Sequence, residues 1–326
     1  MFLYAAVVLI ALTATGLVVR SRLRVPARRY EGPASVGSLY DQWTSDGVVE
    51  SYWGEHFHAG YYGDPPVQKD FIGAKNDLID EVIKRGIGDA AGPLMKRLER
   101  PGGLVRMLDV GCGLGASARR AAKRWPSQAH VTGINISKAQ VARATALTRE
   151  QKIDNAVFVE CDALRLAFPD NSFDVVWAIE SEPYMPDKAL FVREMVRVLK
   201  PGGGLVIVCW NVRDTRGRPL SDAEREHLRL LVDQWCHAGF ISIREYVEIF
   251  EGSGLVDVVS ENWSAATQPS WKQGILAPFG GDPRKILKAT LTQPWAQLRD
   301  VHMLLRFGDA FRNGLCEYGV ISGRKP

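Results

Sequence analysis

The sequence lacks the marks of disulfide-stabilised, zinc-binding and nucleic-acid-binding proteins. Its 326 residues include only five cysteines, an odd number, and no C-x-x-C pair. This usage argues against a disulfide framework and a structural zinc site, and it is typical of a reducing compartment. The net charge of +4 is too small to indicate a nucleic-acid partner, and no zinc-finger or RNA-binding motif is present. Internal repeats and low-complexity segments are also missing.

Charge is missing from the N-terminus as well. Residues 1–19 contain no charged side chain, and five arginines then precede the first acid, Glu31. A helix of that length spans about 28 Å, close to the roughly 30 Å hydrocarbon core of a bilayer. A secretory signal would carry its positive charge before the apolar run. The distribution therefore predicts a transmembrane anchor at residues 1–22, with the rest of the chain on the cytoplasmic side; a cleaved signal and a buried core helix are the alternatives.

A glycine-rich turn follows an apolar run in the middle of the chain. Asp109 ends the run, and Gly111, Gly113 and Gly115 follow at alternate positions before a segment with helical character. A turn of this kind lets a ligand approach the backbone closely, because glycine has no Cβ. The spacing G-x-G-x-G differs from the dinucleotide pattern G-x-G-x-x-G. With the preceding Asp, it resembles motif I of the S-adenosylmethionine (SAM) dependent methyltransferases; a glycine-rich turn of another α/β protein is the alternative.

From residue 106 onward, strand-like and helix-like segments alternate, which predicts a parallel sheet with helices on both faces. Seven strands are expected, at residues 106–110, 130–134, 157–160, 173–178, 205–209, 256–263 and 316–323, the last pairing beside the sixth. The predicted fold is α/β, a class I SAM-dependent methyltransferase with a Rossmann-like seven-stranded sheet. Its expected divisions are a transmembrane anchor (1–22), a basic linker (23–35), an aromatic cap (36–100), a SAM-binding core (101–264), a helical insertion (265–315) and the final strand (316–326).

The insertion before the last strand is far longer than a hairpin loop. It interleaves aromatic residues such as Trp271, Phe307 and Phe311 with basic residues such as Arg284 and Lys285. This mixture fits either a segment at a membrane interface or a helical subdomain with a solvated basic face.

Ligands of open parallel sheets bind at the carboxyl ends of the strands, so SAM is expected there. Its ribose is expected near Asn135, where a carboxylate is usual, and its adenine near Asp162. An amide oxygen can still accept a hydrogen bond, and the change argues against NAD. The predicted cofactor-binding residues are Asp109, Gly111, Cys112, Gly113, Gly115, Ile134, Asn135, Gln140, Asp162, Ala163 and Ile179. No metal is expected.

Residues 36–75 are rich in aromatic side chains and contain His56 and His58. We interpret them as a lid whose aromatic faces suit a flat substrate or the sulfonium cation; a packed cap with structural histidines is the alternative. Methyl transfer needs the alignment of an in-line displacement, and methylation of a phenol or quinol ring carbon also needs a base for the hydroxyl proton. His58 is the first choice for that base, followed by His56, Tyr40 and Glu180.

Several motifs resemble a more specific family. They are Y-D-Q-W-T-x-D-G at 40–47, Y-W-G-E-H-x-H-x-G at 52–60, Y-G-D-P-P at 62–66, F-P-D-x-S-F-D-V-V-W at 168–177, M-P-D-K-A at 185–189 and L-K-P-G-G at 199–203. Together they are similar to the γ-tocopherol methyltransferase type, and within it to cyanobacterial members that act on 2-methyl-6-phytyl-1,4-benzoquinol. Relatives usually have a histidine where this chain has Tyr184, which makes Tyr184 a further catalytic candidate.

The resemblance implies that SAM methylates a ring carbon of this prenylated benzoquinol, or of its solanesyl analogue, on a route to tocopherol or plastoquinone. It also implies the membrane as a partner and a location at a cyanobacterial plasma or thylakoid membrane. Other acceptors stay open, namely γ-tocopherol, a sterol or an acyl lipid. A membrane-tethered SAM-fold protein that binds without turnover is the non-enzymatic alternative.

Overall fold

A seven-stranded mixed sheet forms the centre of the structure, a computed structural model that describes residues 28–277 and 294–326. Its strands are β1 (Val105–Val110), β2 (Ala129–Asn135), β3 (Ala156–Glu160), β4 (Phe173–Ile179), β5 (Leu199–Val212), β6 (Val256–Asn262) and β7 (Cys316–Arg324). Their order is β3-β2-β1-β4-β5-β7-β6; β7 is antiparallel to both neighbours, and the other pairs are parallel. The seven predicted strands are confirmed, and the last pairs beside the sixth as expected.

Helices flank the sheet in the order that the alternating pattern predicts. They are α1 (Pro33–Asp46), α2 (Val48–Trp53), α3 (Phe71–Ile87), α4 (Pro93–Glu99), α5 (Ala116–Arg124), α6 (Lys138–Glu150), α7 (Lys188–Val198), α8 (Asp222–Gln234), α9 (Ile243–Gly252), α10 (Ser264–Thr267), α11 (Pro269–Leu276) and α12 (Pro294–Arg312). Several begin at a capping side chain that accepts a backbone N–H from the first turn, as Asp70 does for α3, Ser137 for α6 and Asp187 for α7. These caps satisfy amide groups that a helix start leaves without partners.

The central strands are buried on both faces, because successive side chains point to opposite sides of a sheet. In β4, Val175 and Trp177 belong to the core on one face, and Val176 and Ala178 belong to the core on the other. Continuous apolar strands of this kind leave polar side chains to the strand ends. A ligand site is therefore expected at an end of the sheet rather than on a face.

β5 begins earlier than the sequence predicts. The sequence predicts a strand at 205–209 only, but β5 starts at Leu199 and includes Pro201 and the glycines that follow it. The amide of Gly202 donates to Lys325, and that of Lys325 donates to Gly203, so the chain end pairs with this segment. The extension depends on a pairing partner more than a hundred residues away, which no local pattern reveals.

The apolar residues of the insertion face inward. Trp271, Phe307 and Phe311 are buried, and the Trp271 and Phe307 rings stack 5.7 Å apart beside Trp210 of β5. The structure therefore favours the helical-subdomain interpretation over the membrane-interface one for these aromatic residues. Arg284 and Lys285, the basic residues named in the prediction, lie outside the described residues.

Among residues 28–277 and 294–326, no helix has both the length and the apolar character to cross a lipid bilayer. This finding contradicts the predicted localisation, a membrane-anchored protein with its catalytic part on the cytoplasmic side, and that prediction is wrong for the described part of the chain. The anchor predicted at residues 1–22 itself lies outside the described residues.

A buried lysine connects α3 to the segment that follows α2. Lys75 is fully buried, and its Nζ donates to the carbonyls of Trp53 (3.2 Å) and His56 (3.0 Å). It also lies 4.0 Å from the centre of the Phe71 ring. Burial lowers the pKa of Lys75 to about 7, although the charge of Glu180 raises it, because the lost hydration outweighs that attraction.

We expect Lys75→Met to remove part of the pH dependence of stability. The folded pKa lies below the unfolded value of about 10.4, so the unfolded chain binds more protons between pH 7 and 10. Wild-type stability should therefore rise with pH in this window, by up to about 1.4 kcal/mol per pH unit from this group. Denaturant unfolding at several pH values measures the slope, and Lys138→Met, on an exposed side chain, is the control. Equal slopes for Lys75→Met and wild type would contradict the prediction.

Candidate cofactor and acceptor site

A cleft of about 740 Å³, partly open to solvent, lies at the carboxyl ends of β1 to β4. The sheet order reverses between β1 and β4, and ligands of open α/β sheets bind at such a point. The cleft is lined by Tyr30, Pro33, Val36, Tyr40, Phe57, Gly111, Gly113, Ile134, Asn135, Ile136, Gln140, Cys161, Asp162, Ala163, Leu164, Ile179, Glu180, Ser181, Tyr184 and Met185.

The glycine turn forms the floor of the cleft. All three glycines have positive φ, at 80°, 54° and 81° for Gly111, Gly113 and Gly115. A Cβ on Gly111 would come within 2.3 Å of Ser181, and a Cβ on Gly115 within 2.4 Å of Phe158, whereas a Cβ on Gly113 would meet only the Phe57 ring, at an ordinary contact distance of 3.8 Å. Packing therefore requires the outer glycines, and Gly113 is where a ligand can approach the backbone.

Asp109 supports this turn from behind rather than lining the cleft. It is buried and accepts a hydrogen bond from the Ser117 hydroxyl at the start of α5. Burial raises the pKa of Asp109 to about 7, although the Ser117 hydrogen bond lowers it. Cys112 and Gly115 also lie outside the lining. These three predicted cofactor residues shape the turn, and a direct contact with the cofactor is not expected of them.

The ribose side of the cleft has an unsatisfied donor. The Ser137 amide donates to Asn135 Oδ1 (2.9 Å), so Asn135 Nδ2 must face Gln140 Oε1, to which it donates (2.8 Å). Gln140 Nε2 is then left buried with no hydrogen-bond partner among the described residues. A buried donor of this kind needs an acceptor, and a ribose hydroxyl supplies one. Asn135 thus orients Gln140, which replaces Asn135 as the expected ribose partner.

The adenine side is formed by the residues that follow β3. Asp162 Oδ1 accepts the Leu164 amide (2.9 Å), which holds the carboxylate in place and leaves its other oxygen for an amino group. Ile134 and Ala163 add apolar wall to this end of the cleft. The residues present therefore fit a SAM molecule.

Glu180 lies at the other end of the cleft, immediately after β4. Its φ is 53°, a backbone conformation uncommon outside glycine. Oε1 accepts hydrogen bonds from the Ala59 amide (2.7 Å) and the Tyr318 hydroxyl (2.5 Å). Burial raises the pKa of Glu180 to about 7, although these two hydrogen bonds lower it. A carboxylate that titrates near neutral pH is suited to general base catalysis.

Tyr40 and Tyr184 meet across the cleft. The Tyr40 hydroxyl donates to the Tyr184 hydroxyl (2.8 Å), so the Tyr184 proton is available to an acceptor in the cleft. Burial raises the pKa of both phenols, which keeps them protonated as donors. The departure at Tyr184 thus replaces an imidazole by a hydroxyl pair.

The structure does not bring His58 into the lining of the cleft. His58 Nδ1 lies 2.7 Å from the Ala59 carbonyl, and its Nε2 lies 3.3 Å from Nδ1 of His56. Burial lowers the pKa of His58 to about 3 and that of His56 to about 2. A base must reach the proton that it removes, so this geometry favours Glu180 over either histidine.

The cleft therefore gathers most of the predicted site residues, including Tyr40, Tyr184 and Glu180. Sequence reasoning missed Tyr318, which lies 138 positions from Glu180 in the chain, and Ala59, which acts through its backbone. It also missed the link between α1 and α6, in which Asp41 accepts from the Ser137 hydroxyl (2.5 Å). Asp41, within the motif at 40–47, was the only signal of that link in the sequence.

Comparison with known proteins identifies the class of this site. Residues 108–207 match the family described as Methyltransferase domain. The chain is 44% identical over 300 residues, covering 90% of it and 88% of the relative, to 2-methyl-6-phytyl-1,4-hydroquinone methyltransferase from Synechocystis sp.. It is 34% identical over 297 residues, covering 89% and 78%, to the probable tocopherol O-methyltransferase, chloroplastic, of Oryza sativa subsp. japonica.

A solved structure shows the same architecture. The crystal structure of the [4+2]-cyclase SpnF matches with a TM-score of 0.70 and 26% identity, covering 91% of this chain and 98% of that chain. That protein is named a cyclase, which shows that this architecture alone does not determine the reaction.

Replacement of Gln140 by Met, which has similar length but no amide, is expected to weaken SAM binding. The loss of one hydrogen bond to the ribose corresponds to about a fivefold to tenfold higher Kd, measured by isothermal titration calorimetry. Gln151→Met is the matched control, because Gln151 donates to Glu55 (3.0 Å) outside the cleft lining. Unchanged affinity in the Gln140 variant would remove this residue from the ribose site.

Proposed function

Because the chain belongs to the family of the tocopherol-pathway methyltransferases and is a SAM-dependent methyltransferase, we propose that it methylates a ring carbon of 2-methyl-6-phytyl-1,4-hydroquinone. The observation that carries the proposal is the 44% identity over 90% of the chain to the Synechocystis enzyme of that name. The site supports it through a cleft whose lining includes the residues expected to bind SAM and the partly buried carboxylate of Glu180.

In the proposed reaction, the Glu180 carboxylate accepts the proton of a ring hydroxyl. Electron density then moves to the ring carbon that forms the new C–C bond, and the proton on that carbon is released afterwards to restore the aromatic ring. Bound SAM supplies the methyl group on a sulfonium, from which it is displaced in line. A phenol has a pKa near 10, so partial proton transfer to a carboxylate aligned with the hydroxyl lowers the barrier.

The other cleft residues orient the acceptor. Tyr184 donates from its hydroxyl, which Tyr40 holds in place through the 2.8 Å hydrogen bond. The Tyr40 and Phe57 rings line the same cleft, and aromatic faces stabilise a nearby sulfonium by cation–π attraction. The remaining wall is largely apolar, which suits a prenylated substrate.

An assay with radiolabelled SAM and a panel of acceptors tests the proposal. We expect label on 2-methyl-6-phytyl-1,4-hydroquinone and, at a lower rate, on the solanesyl analogue. Labelling of a tocopherol alone would favour the activity named for the rice relative. No labelling of any acceptor, with SAM still bound, would favour a binding protein without turnover.

The pH profile tests Glu180 as the base. Its folded pKa of about 7 means that the wild-type rate should fall as the pH drops below 7, because the carboxyl becomes protonated. Glu180→Gln should reduce turnover by about a hundredfold or more and remove this acid limb. Glu160→Gln, on an exposed side chain at the end of β3, is the control. An unchanged profile in Glu180→Gln would assign the limb to another group.

A further inference from the structure

We propose that His58 is a positioning residue that holds the Glu180 carboxylate in place through the backbone of Ala59. His58 itself does not line the cleft, whereas Glu180 does. The inference deepens the proposed function, since it rests on Glu180 as the group that faces the acceptor.

The hydrogen-bond partners determine the tautomer of each histidine. A carbonyl oxygen can only accept, so the 2.7 Å contact between His58 Nδ1 and the Ala59 oxygen requires a proton on Nδ1. Both rings are neutral, because burial lowers their pKa values to about 3 and about 2. Nε2 of His58 is then an acceptor, and Nδ1 of His56, at 3.3 Å, is the donor to it. The two hydrogen bonds therefore run in one direction, from His56 Nδ1 to His58 Nε2 and from His58 Nδ1 to the Ala59 oxygen.

Ala59 connects these hydrogen bonds to the cleft. Its carbonyl is held by His58, and its amide donates to Glu180 Oε1 (2.7 Å). The two contacts lie on either side of one Cα atom, so the imidazole limits rotation of the residue that presents the amide. Glu180 accepts its second hydrogen bond, from the Tyr318 hydroxyl, on the same oxygen. Oε2 receives neither of these bonds.

The segment that carries Ala59 is held at both ends by buried groups. Lys75 Nζ donates to the carbonyl of His56 (3.0 Å). Beyond Ala59, the amide of Gly60 donates to the Ser270 hydroxyl (2.7 Å). A Cβ on Gly60 would lie 2.6 Å from Ala74, so Gly60 packs directly against α3. Between these two anchors, the imidazole is the group that holds the Ala59 carbonyl.

The His58 and Ala59 contacts form a clamp on Glu180. Several titratable groups also face Glu180, and the experiment must separate their effects on the Glu180 pKa from the effect of the clamp. They are Lys75 on α3, Tyr40 on α1, Glu182 and Tyr184 in the turn after β4, Cys209 on β5 and Tyr318 on β7. Lys75 also acts electrostatically on His58, and the two neutral amides introduced at residue 58 change that effect alike. If the pKa of Glu180 differs between a variant that keeps the donor to the Ala59 carbonyl and one that loses it, the difference therefore reports the clamp.

Two amide variants of matched polarity test the inference. In His58→Asn, the amide nitrogen can occupy the place of Nδ1 and still donate to the Ala59 carbonyl. In His58→Gln, the amide reaches the place of Nε2, which keeps the contact with His56 but loses the donor to Ala59. We expect the pH midpoint of turnover to rise by about 0.5 to 1 unit in His58→Gln and to stay near wild type in His58→Asn.

The rise follows from weaker stabilisation of the ionised carboxylate once the Ala59 amide is less well placed. At pH 6 the rate of His58→Gln, expressed as a fraction of its own plateau, should be about threefold to tenfold lower than the corresponding wild-type fraction, with the Kd for SAM unchanged. His130→Gln, on an exposed strand residue, is the control and should match wild type. Equal pH midpoints of turnover in His58→Asn and His58→Gln, or a raised midpoint in His58→Asn alone, would overturn the inference.

A readout without the acceptor separates this inference from the proposed function. The infrared band of the protonated Glu180 carboxyl, assigned by its loss in Glu180→Gln, is titrated in the full chain with SAM bound. A raised midpoint in His58→Gln supports the clamp even if no hydroquinone is methylated. If hydroquinone is methylated but the titration midpoint of this band is unchanged in both variants, the clamp is overturned and the proposed function stands.

Discussion

One buried carboxylate connects three distant parts of this chain. Glu180 leaves β4 with a left-handed backbone and accepts hydrogen bonds from Ala59 and Tyr318. Ala59 belongs to the segment between α2 and α3, and Tyr318 to β7. A buried carboxylate is costly unless it is hydrogen-bonded, so the cap, the core and the last strand must all be in place before Glu180 is satisfied. The site for the acceptor is thus built at the point where these elements depend on one another.

The cofactor half of the cleft is attached to the same cap. Asp41 on α1 accepts from the Ser137 hydroxyl and the Ala139 amide (3.0 Å) at the start of α6, and Arg143 on α6 pairs with Glu50 on α2 (2.7 Å). The helix that begins beside the ribose pocket therefore also fixes α1, which carries Tyr40 to its hydrogen bond with Tyr184. Cofactor binding and acceptor orientation share one set of contacts, which fits a transfer reaction that requires alignment of two substrates.

Much of the fold and half of the site follow from local patterns. Each of the first four strands was predicted to within a residue at either end, because apolar runs broken by turn residues are a local signal. The glycine turn and the residues after each strand placed the cofactor cleft, since parallel strands end at a common edge. The start of β5 was missed, and the sequence left two interpretations of the insertion open, because each feature depends on a partner distant in the chain. The predicted location in a membrane was wrong for the described residues.

The base illustrates the division between sequence and structure. By itself, the sequence determined the class of protein, the cofactor turn and a short set of groups able to move a proton, because residue type and spacing carry that information. Only the tertiary structure gives a reason to favour one of them, Glu180, as the proposed base. Burial and the charge of Lys75 keep His58 neutral, although its hydrogen bond to the Ala59 carbonyl raises the pKa, and both ring nitrogens have partners. Burial raises the pKa of Glu180 to about 7 at the cleft wall. Desolvation and hydrogen-bond geometry set these properties, and both depend on neighbours that only the folded chain brings together.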